Sequence, residues 1–127
     1  MKFQALSRME ARRILLVDDD ETITTSFQLV LQREGYQVDT ASTGQQALEK
    51  IGEAKYQLVI LDVKLPDILG TEVAGKIRSQ DKEIRLVITT GYPDLADSIE
   101  AIDIGIEEIL LKPINVDELL HVIKESF

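Results

Sequence analysis

Cysteine is absent from the 127 residues, which excludes disulfides and thiolate metal sites. Tryptophan is absent as well, and aromatic residues make up only 5%, too few to suggest a flavin sandwiched between rings. His121 is the only histidine and is read as a partly exposed surface residue. No apolar run is long enough to span a bilayer. The stretch from Met1 to Arg13 carries charges throughout and has no apolar centre, so it does not read as a signal peptide. Positive charge is scarce: 14 Lys and Arg stand against 23 Asp and Glu, a formal net charge of -9. Such a chain repels phosphate backbones, which argues against direct nucleic-acid binding. What remains is 44% apolar and 29% charged, the profile of one globular domain with a real core. The lack of cysteine agrees with a cytoplasmic location, which is the expectation.

From Arg13 onward, strand and helix signals alternate. Ile14-Leu15-Leu16-Val17 and Leu58-Val59-Ile60-Leu61 are short apolar runs, as expected of strands buried on both faces of a parallel sheet. Leu86-Val87-Ile88 and Ile109-Leu110-Leu111 are two more, and Tyr36 to Ala41 is a weaker fifth. Between them lie helical patterns. One holds Ile23, Phe27, Val30 and Leu31 and stops at Gly35; another holds Ala47, Leu48, Ile51 and Ala54 behind a Thr43–Gln46 capping box. A loop with Pro66 and Gly70 leads to a short helix through Val73, Ala74 and Ile77. Gly91 to Asp94 reads as loop, Leu95 to Ile104 as helix closed by Gly105, and Asn115 opens the last helix. Five strands each followed by a helix imply a parallel sheet covered on both faces by right-handed crossovers. Of the two common doubly wound arrangements, the flavodoxin-like (βα)5 one with strand order 2-1-3-4-5 suits this length. The domain is expected over residues 12–127, with 1–11 as an N-terminal extension.

Ligands in such sheets bind beyond the carboxyl ends of the strands. The residues just after the apolar runs are Asp18-Asp19-Asp20, Asp62, Thr89-Thr90-Gly91 and Lys112-Pro113. Strands one, three, four and five are consecutive neighbours in that order, about 4.8 Å apart, so these tips converge. Clustered carboxylates repel unless a cation or proton neutralises them. A hard cation such as Mg2+ takes one or two carboxylates and leaves positions for water and phosphate oxygens. Lys112 is a point charge suited to a phosphate oxygen, Thr90 can donate a hydrogen bond to another, and a carboxylate can itself accept a phosphoryl group. Each residue also has an ordinary reading. Asp20 is best read as a helix N-cap; taken singly, Asp62 could be a turn former, Thr90 an ordinary strand end and Lys112 a solvated lysine. The joint occurrence on four strand tips favours the site.

With these residues placed, ILLVDDD, LVILDVKLPDILG, VITTGY and ILLKPI, in this order, resemble the receiver domains of two-component response regulators, from about Arg13 to Ser126. The resemblance implies a phosphorylation switch rather than an enzyme acting on a separate substrate. Asp62 would be the phosphoacceptor. Asp18, Asp19, Asp62 and the backbone carbonyl of Lys64 would hold Mg2+. Lys112 would contact the phosphate across a cis bond to Pro113, and Thr90 would follow the phosphoryl group. The donor would be a sensor histidine kinase or a phosphotransfer protein, and the downstream effector is not identified. One departure stands out. The switch position three residues before Lys112, commonly Tyr or Phe in the family, is Ile109. Lys64 and Tyr92 stand where the family varies to set phosphate lifetime.

Two other classes compete. A haloacid-dehalogenase-like phosphatase would use Asp18-Asp19-Asp20-Glu21-Thr22 as its D-x-D-x-T motif with Asp18 as nucleophile. It would need a further acidic motif after Lys112, where only Asp117-Glu118 stands, and it leaves Asp62 unexplained. A flavodoxin-like electron carrier would need a hydroxyl-rich loop where three Asp stand. A histidine phosphotransfer module is set aside because His121 lies on the last helix of an α/β pattern. The acidic tally of Asp94, Asp97, Glu100, Asp103, Glu107 and Glu108 is read as a solvated face, with a partner surface as the second reading. Whether the chain is a single-domain regulator or a piece of a larger regulator or hybrid kinase stays open.

Overall fold

The computed structural model describes residues 12–127 apart from Ala101. Residues 1–11, expected to be an extension, lie outside the described part. The elements in order are β1 (Arg13–Val17), α1 (Glu21–Arg33), β2 (Gln37–Ala41), α2 (Gly44–Glu53), β3 (Leu58–Asp62), α3 (Gly70–Gln80), β4 (Arg85–Thr90), α4 (Pro93–Glu100), β5 (Ile106–Leu111) and α5 (Val116–Ser126). The strands form one parallel sheet in the order β2-β1-β3-β4-β5, the expected doubly wound arrangement. Side chains alternate across it. Leu15, Val17, Val59, Leu61, Leu86 and Ile88 face the layer of α2, α3 and α4, where Ala47, Val73, Ala74, Ile77 and Ile99 complete one core. Ile14, Leu16, Leu58, Ile60 and Val87 face α1 and α5, where Leu31, Leu119, Val122 and Ile123 complete the other. That is why the central runs are apolar at every position. Among the described residues no helix is long and apolar enough to cross a membrane.

The helix starts follow their caps. Asp20 Oδ1 accepts from the N–H groups of Thr22 (3.0 Å) and Ile23 (3.3 Å), and Asn115 Oδ1 accepts from that of Glu118 (2.7 Å). Thr43 Oγ1 accepts from Gln46 N–H at 3.0 Å, but the Gln46 amide turns to Ser42 N–H (2.9 Å) rather than to Thr43 itself. Gly35 takes φ 98°, the left-handed turn expected after α1.

Three elements differ most from the sequence reading. Helix α4 begins at Pro93 and ends at Glu100, not Leu95 to Ile104. Proline suits a first helical residue, because its missing N–H would be unsatisfied there in any case. After the helix, Arg78 on α3 holds the backbone, donating to the carbonyls of Ile104 (2.8 Å) and Gly105 (3.1 Å) while Gly105 adopts φ 70°. Strand β5 begins three residues early, at Ile106. It is an edge strand with exposed Glu107 and Glu108, and its register with β4 shifts between Leu86 and Val87. The bulge breaks the alternation that would have marked it. Gly70, read as loop, opens α3 instead.

Candidate functional site

The parallel register delivers the strand tips together. Asp62 ends β3 opposite Thr89, and Thr90 ends β4 opposite Leu111, one residue before Lys112. Lys112 N–H continues the ladder by donating to Thr90 O at 2.7 Å, and Asp18 N–H does the same to Ala41 O at 3.1 Å. Each side chain therefore leaves rigid backbone at the same edge of the sheet.

At that edge the Lys112 ammonium lies between two buried carboxylates, 2.7 Å from Asp18 Oδ2 and 3.1 Å from Asp62 Oδ2. Asp18 Oδ1 is occupied by the N–H of Asp20 at 2.9 Å. Asp19 is exposed, yet Asp18, Asp19 and Asp62 each offer an oxygen within 4.8 Å of the others. The carboxyl of Asp62 is raised above the usual range, first by burial and then by the charge of Asp18; Lys112 and the Lys64 N–H pull it back only in part. Burial works to lower the Lys112 ammonium, but its hydrogen bonds to Asp18 and Asp62 outweigh that, and it is raised. Three carboxylates against one lysine leave excess negative charge in a compact, all-oxygen donor set. That chemistry fits a hard divalent cation.

The remaining expected residues fall in two groups. Thr90 is buried beside the cluster, and its Oγ1 accepts from Tyr92 N–H at 3.1 Å. Lys64 and Tyr92 are both exposed, and the Lys64 ammonium sits 4.1 Å from the centre of the Tyr92 ring, bridging the loops after β3 and β4. The Lys112–Pro113 bond is cis. Ile109 is not at the cluster. It lies further back in β5 opposite Ile88, half-buried against the core under α2, α3 and α4. His121 is exposed, as read from the sequence.

Two supporting residues escaped sequence reasoning. Gly70 packs so tightly on β3 that a side chain there would collide with the Asp62 carbonyl oxygen and come within 2.9 Å of the Asp62 carbonyl carbon. Asp67 reaches across to α2 and accepts from the N–H groups of Gly44 (2.8 Å) and Gln45 (2.9 Å). Local sequence shows only a turn at both positions, because their partners are distant in the chain. Beside the cluster a cavity of about 470 Å3 opens between α1 and the segment after β5. Ile23, Phe27, Ile60, Ile114 and Leu119 make its walls apolar, so ionic chemistry is confined to its Asp18 and Lys112 rim. The phosphatase alternative gains no support. Asp117 and Glu118 lie in the first turn of α5, and the only three-carboxylate group among the described residues is Asp18, Asp19 and Asp62.

Comparison with known proteins bears directly on this arrangement. The family model described as the response regulator receiver domain matches residues 14–124. An uncharacterized transcriptional regulatory protein of Bacillus subtilis, YkoG, is 36% identical over 118 residues, covering 93% of this chain and 52% of its own length. The Staphylococcus aureus response regulator ArlR is 37% identical over 108 residues, covering 85% and 49%. The chain thus spans about half the length of these curated relatives. Among solved structures, a CheY-like receiver domain from Methanospirillum hungatei superposes with a TM-score of 0.85 at 37% identity, over 91% of this chain and 92% of that one. The response regulator TrrA of Thermotoga maritima, solved in complex with Mg2+ and BeF, gives a TM-score of 0.82 at 38% identity, over 91% and 99%. With the family model matched over residues 14–124, this chain belongs to the family of response regulator receiver domains.

Proposed function

We propose that this chain is a phosphorylation-dependent signalling switch of a two-component system and that Asp62 takes the phosphoryl group. The observation that carries the reading is the Lys112 ammonium held between Asp18 and Asp62, with Asp19 beside them, at the carboxyl edge of the sheet. Asp18, Asp19 and Asp62, with the backbone carbonyl of Lys64, would hold Mg2+. The bound ion would supply positive charge that stabilises the transferring phosphoryl group.

Everything else falls to the chain. An oxygen of the Asp62 carboxylate attacks phosphorus in line with the phosphorus–nitrogen bond of a phosphohistidine. The new bond is the oxygen–phosphorus bond of an acyl phosphate, and the departing electron pair stays on the imidazole nitrogen. Lys112, already within hydrogen-bond reach of Asp62, exchanges that contact for a phosphoryl oxygen. The Thr90 hydroxyl accepts from Tyr92 N–H and keeps its own proton to donate to another phosphoryl oxygen. Water later attacks the acyl phosphate and restores Asp62. The chain thus promotes only its own phosphorylation and dephosphorylation.

On this reading the receiver unit spans residues 12–127, with 1–11 as an extension, and works in the cytoplasm. Upstream stands a sensor histidine kinase or phosphotransfer protein; downstream stands an effector protein or domain addressed through the surface around β4, α4 and β5. The net charge of -9 sets nucleic acid aside as a direct partner of this unit. The experiment is phosphotransfer from autophosphorylated histidine kinases of the source organism. Label should pass to the chain in Mg2+, and should stop with EDTA or with Asp62→Asn. Transfer that survives Asp62→Asn and stops with Asp18→Asn would favour the phosphatase reading.

A further inference from the structure

The loop from Val63 to Leu69 carries the Lys64 backbone beside Asp62. Its neck is closed by the antiparallel bridge of Lys64 with Leu69 and by Gly70 N–H donating to Val63 O at 2.6 Å. Its tip is surface chain, since Lys64, Pro66, Asp67 and Leu69 are all exposed. A tip of this kind is expected to be mobile unless something holds it. The helix it enters holds little: Leu69 stands at the N-cap of α3 and makes no side-chain cap, whereas α1, α2 and α5 are capped by Asp20, Thr43 and Asn115.

The hold comes from α2. Both carboxylate oxygens of Asp67 are engaged there, Oδ1 by Gly44 N–H and Oδ2 by Gln45 N–H, two groups with no partner inside the helix. These bonds keep the Asp67 carboxyl below the usual range although it is exposed. The next residue, Ile68, packs onto Gly44 so closely that a Cβ there would meet Ile68 Cδ1 and Val73 Cγ2 at 2.8 Å. The tip is therefore fastened by a charge-assisted pair of hydrogen bonds and an apolar contact side by side.

We infer that Asp67 is a positioning residue for the phosphorylation site: by gripping the N-terminus of α2 it sets the loop that presents the Lys64 backbone next to Asp62. The inference rests on the reading of Asp62 as phosphoacceptor. It places the dependence in Mg2+ affinity, because the loop contributes a backbone group and not the attacking atom. A merely structural Asp67 would stabilise α2 and do nothing else, and Thr43 provides the control, since it caps the same helix end from within.

The test is a Mg2+ titration of the full chain, read both by the rise in melting temperature without phosphodonor and by the initial rate of phosphorylation by acetyl phosphate, followed by intact mass. Asp67→Ala should raise the half-saturating Mg2+ concentration about 10-fold, the scale of lost outer-shell support. The rate at saturating Mg2+ should stay near that of the unaltered chain. Asp67→Asn, which keeps one acceptor oxygen, should fall between. Thr43→Ala should lower the melting temperature and leave half-saturation unchanged. Equal shifts for Asp67→Ala and Thr43→Ala, no shift for either, or a loss confined to the saturating rate would each overturn the inference and leave the Asp62 reading standing. An unaltered chain that takes no phosphoryl group at any Mg2+ concentration would overturn both.

Discussion

On the proposed reading of Asp62, Tyr92 rather than Ile109 carries phosphorylation to the surface. Thr90 is buried, and its hydroxyl is already tied to the Tyr92 N–H, so movement of Thr90 toward a phosphoryl oxygen pulls first on the loop after β4. Ile109 offers less. It is β-branched, stiff at χ1, half-buried and seated opposite Ile88, with no hydroxyl to bury or expose. The Tyr92 ring is half exposed and lies against the Lys64 ammonium, a contact worth about 0.5–1 kcal/mol at such sites, which ties the loop after β4 to the loop that follows Asp62. Tyr92→Ala should therefore shorten the lifetime of the acyl phosphate and weaken binding by the phosphorylated form. Ile109→Val should leave both nearly unchanged and cost only about 1 kcal/mol of stability. Amide exchange with and without beryllofluoride checks the route. Protection should change across residues 91–97; change confined to β5 would defeat this mechanism.

At the scale of elements, legibility followed burial. Strands β1 and β3 are buried on both faces, so every residue from Ile14 to Val17 and from Leu58 to Leu61 is apolar and their limits can be read directly. Strand β5 lies at the edge, with a bulge and two exposed glutamates, and only its last three residues carried a signal. Helix α4 is shorter than its apolar pattern suggests, and the segment after it, Ile104 and Gly105, is held by Arg78, which sits on another helix and is distant in sequence. A similar long-range tie joins β2 to the start of β3: the buried Tyr56 hydroxyl donates to Asp39 Oδ2 at 2.7 Å. Burial, and then the Asp39 bond, push the Tyr56 hydroxyl well above its ordinary value. A group raised on folding stabilises fully below its unfolded pKa, near 10, and loses that contribution as pH climbs toward the folded value. Tyr56→Phe should thus cost about 1 kcal/mol at neutral pH, and the gap to the unaltered chain should narrow above about pH 10. Urea unfolding at pH 7 and at about pH 11 measures it; a gap that widens in alkali would contradict the assignment.

For the whole molecule, the site was readable because parallel topology turns strand ends into neighbours. Once four apolar runs are ordered, their ends fall at one edge of the sheet, where Asp18, Asp19 and Asp62 cluster and the Lys112 ammonium lies between Asp18 and Asp62. What sequence could not show was the support around them. The grip of Asp67 on Gly44 and Gln45 joins residues more than twenty positions apart, and the closeness of Gly70 to Asp62 depends on how α3 packs. Neither leaves a local pattern. Asp62 is proposed to accept the phosphoryl group at this edge. Intact-mass measurement after incubation with acetyl phosphate and Mg2+, followed by fragmentation to locate the modified residue, tests it most directly. A single added phosphoryl group on Asp62 is expected, absent without Mg2+ and absent in Asp62→Asn. The same mass gain in Asp62→Asn, located on Asp18, would contradict it.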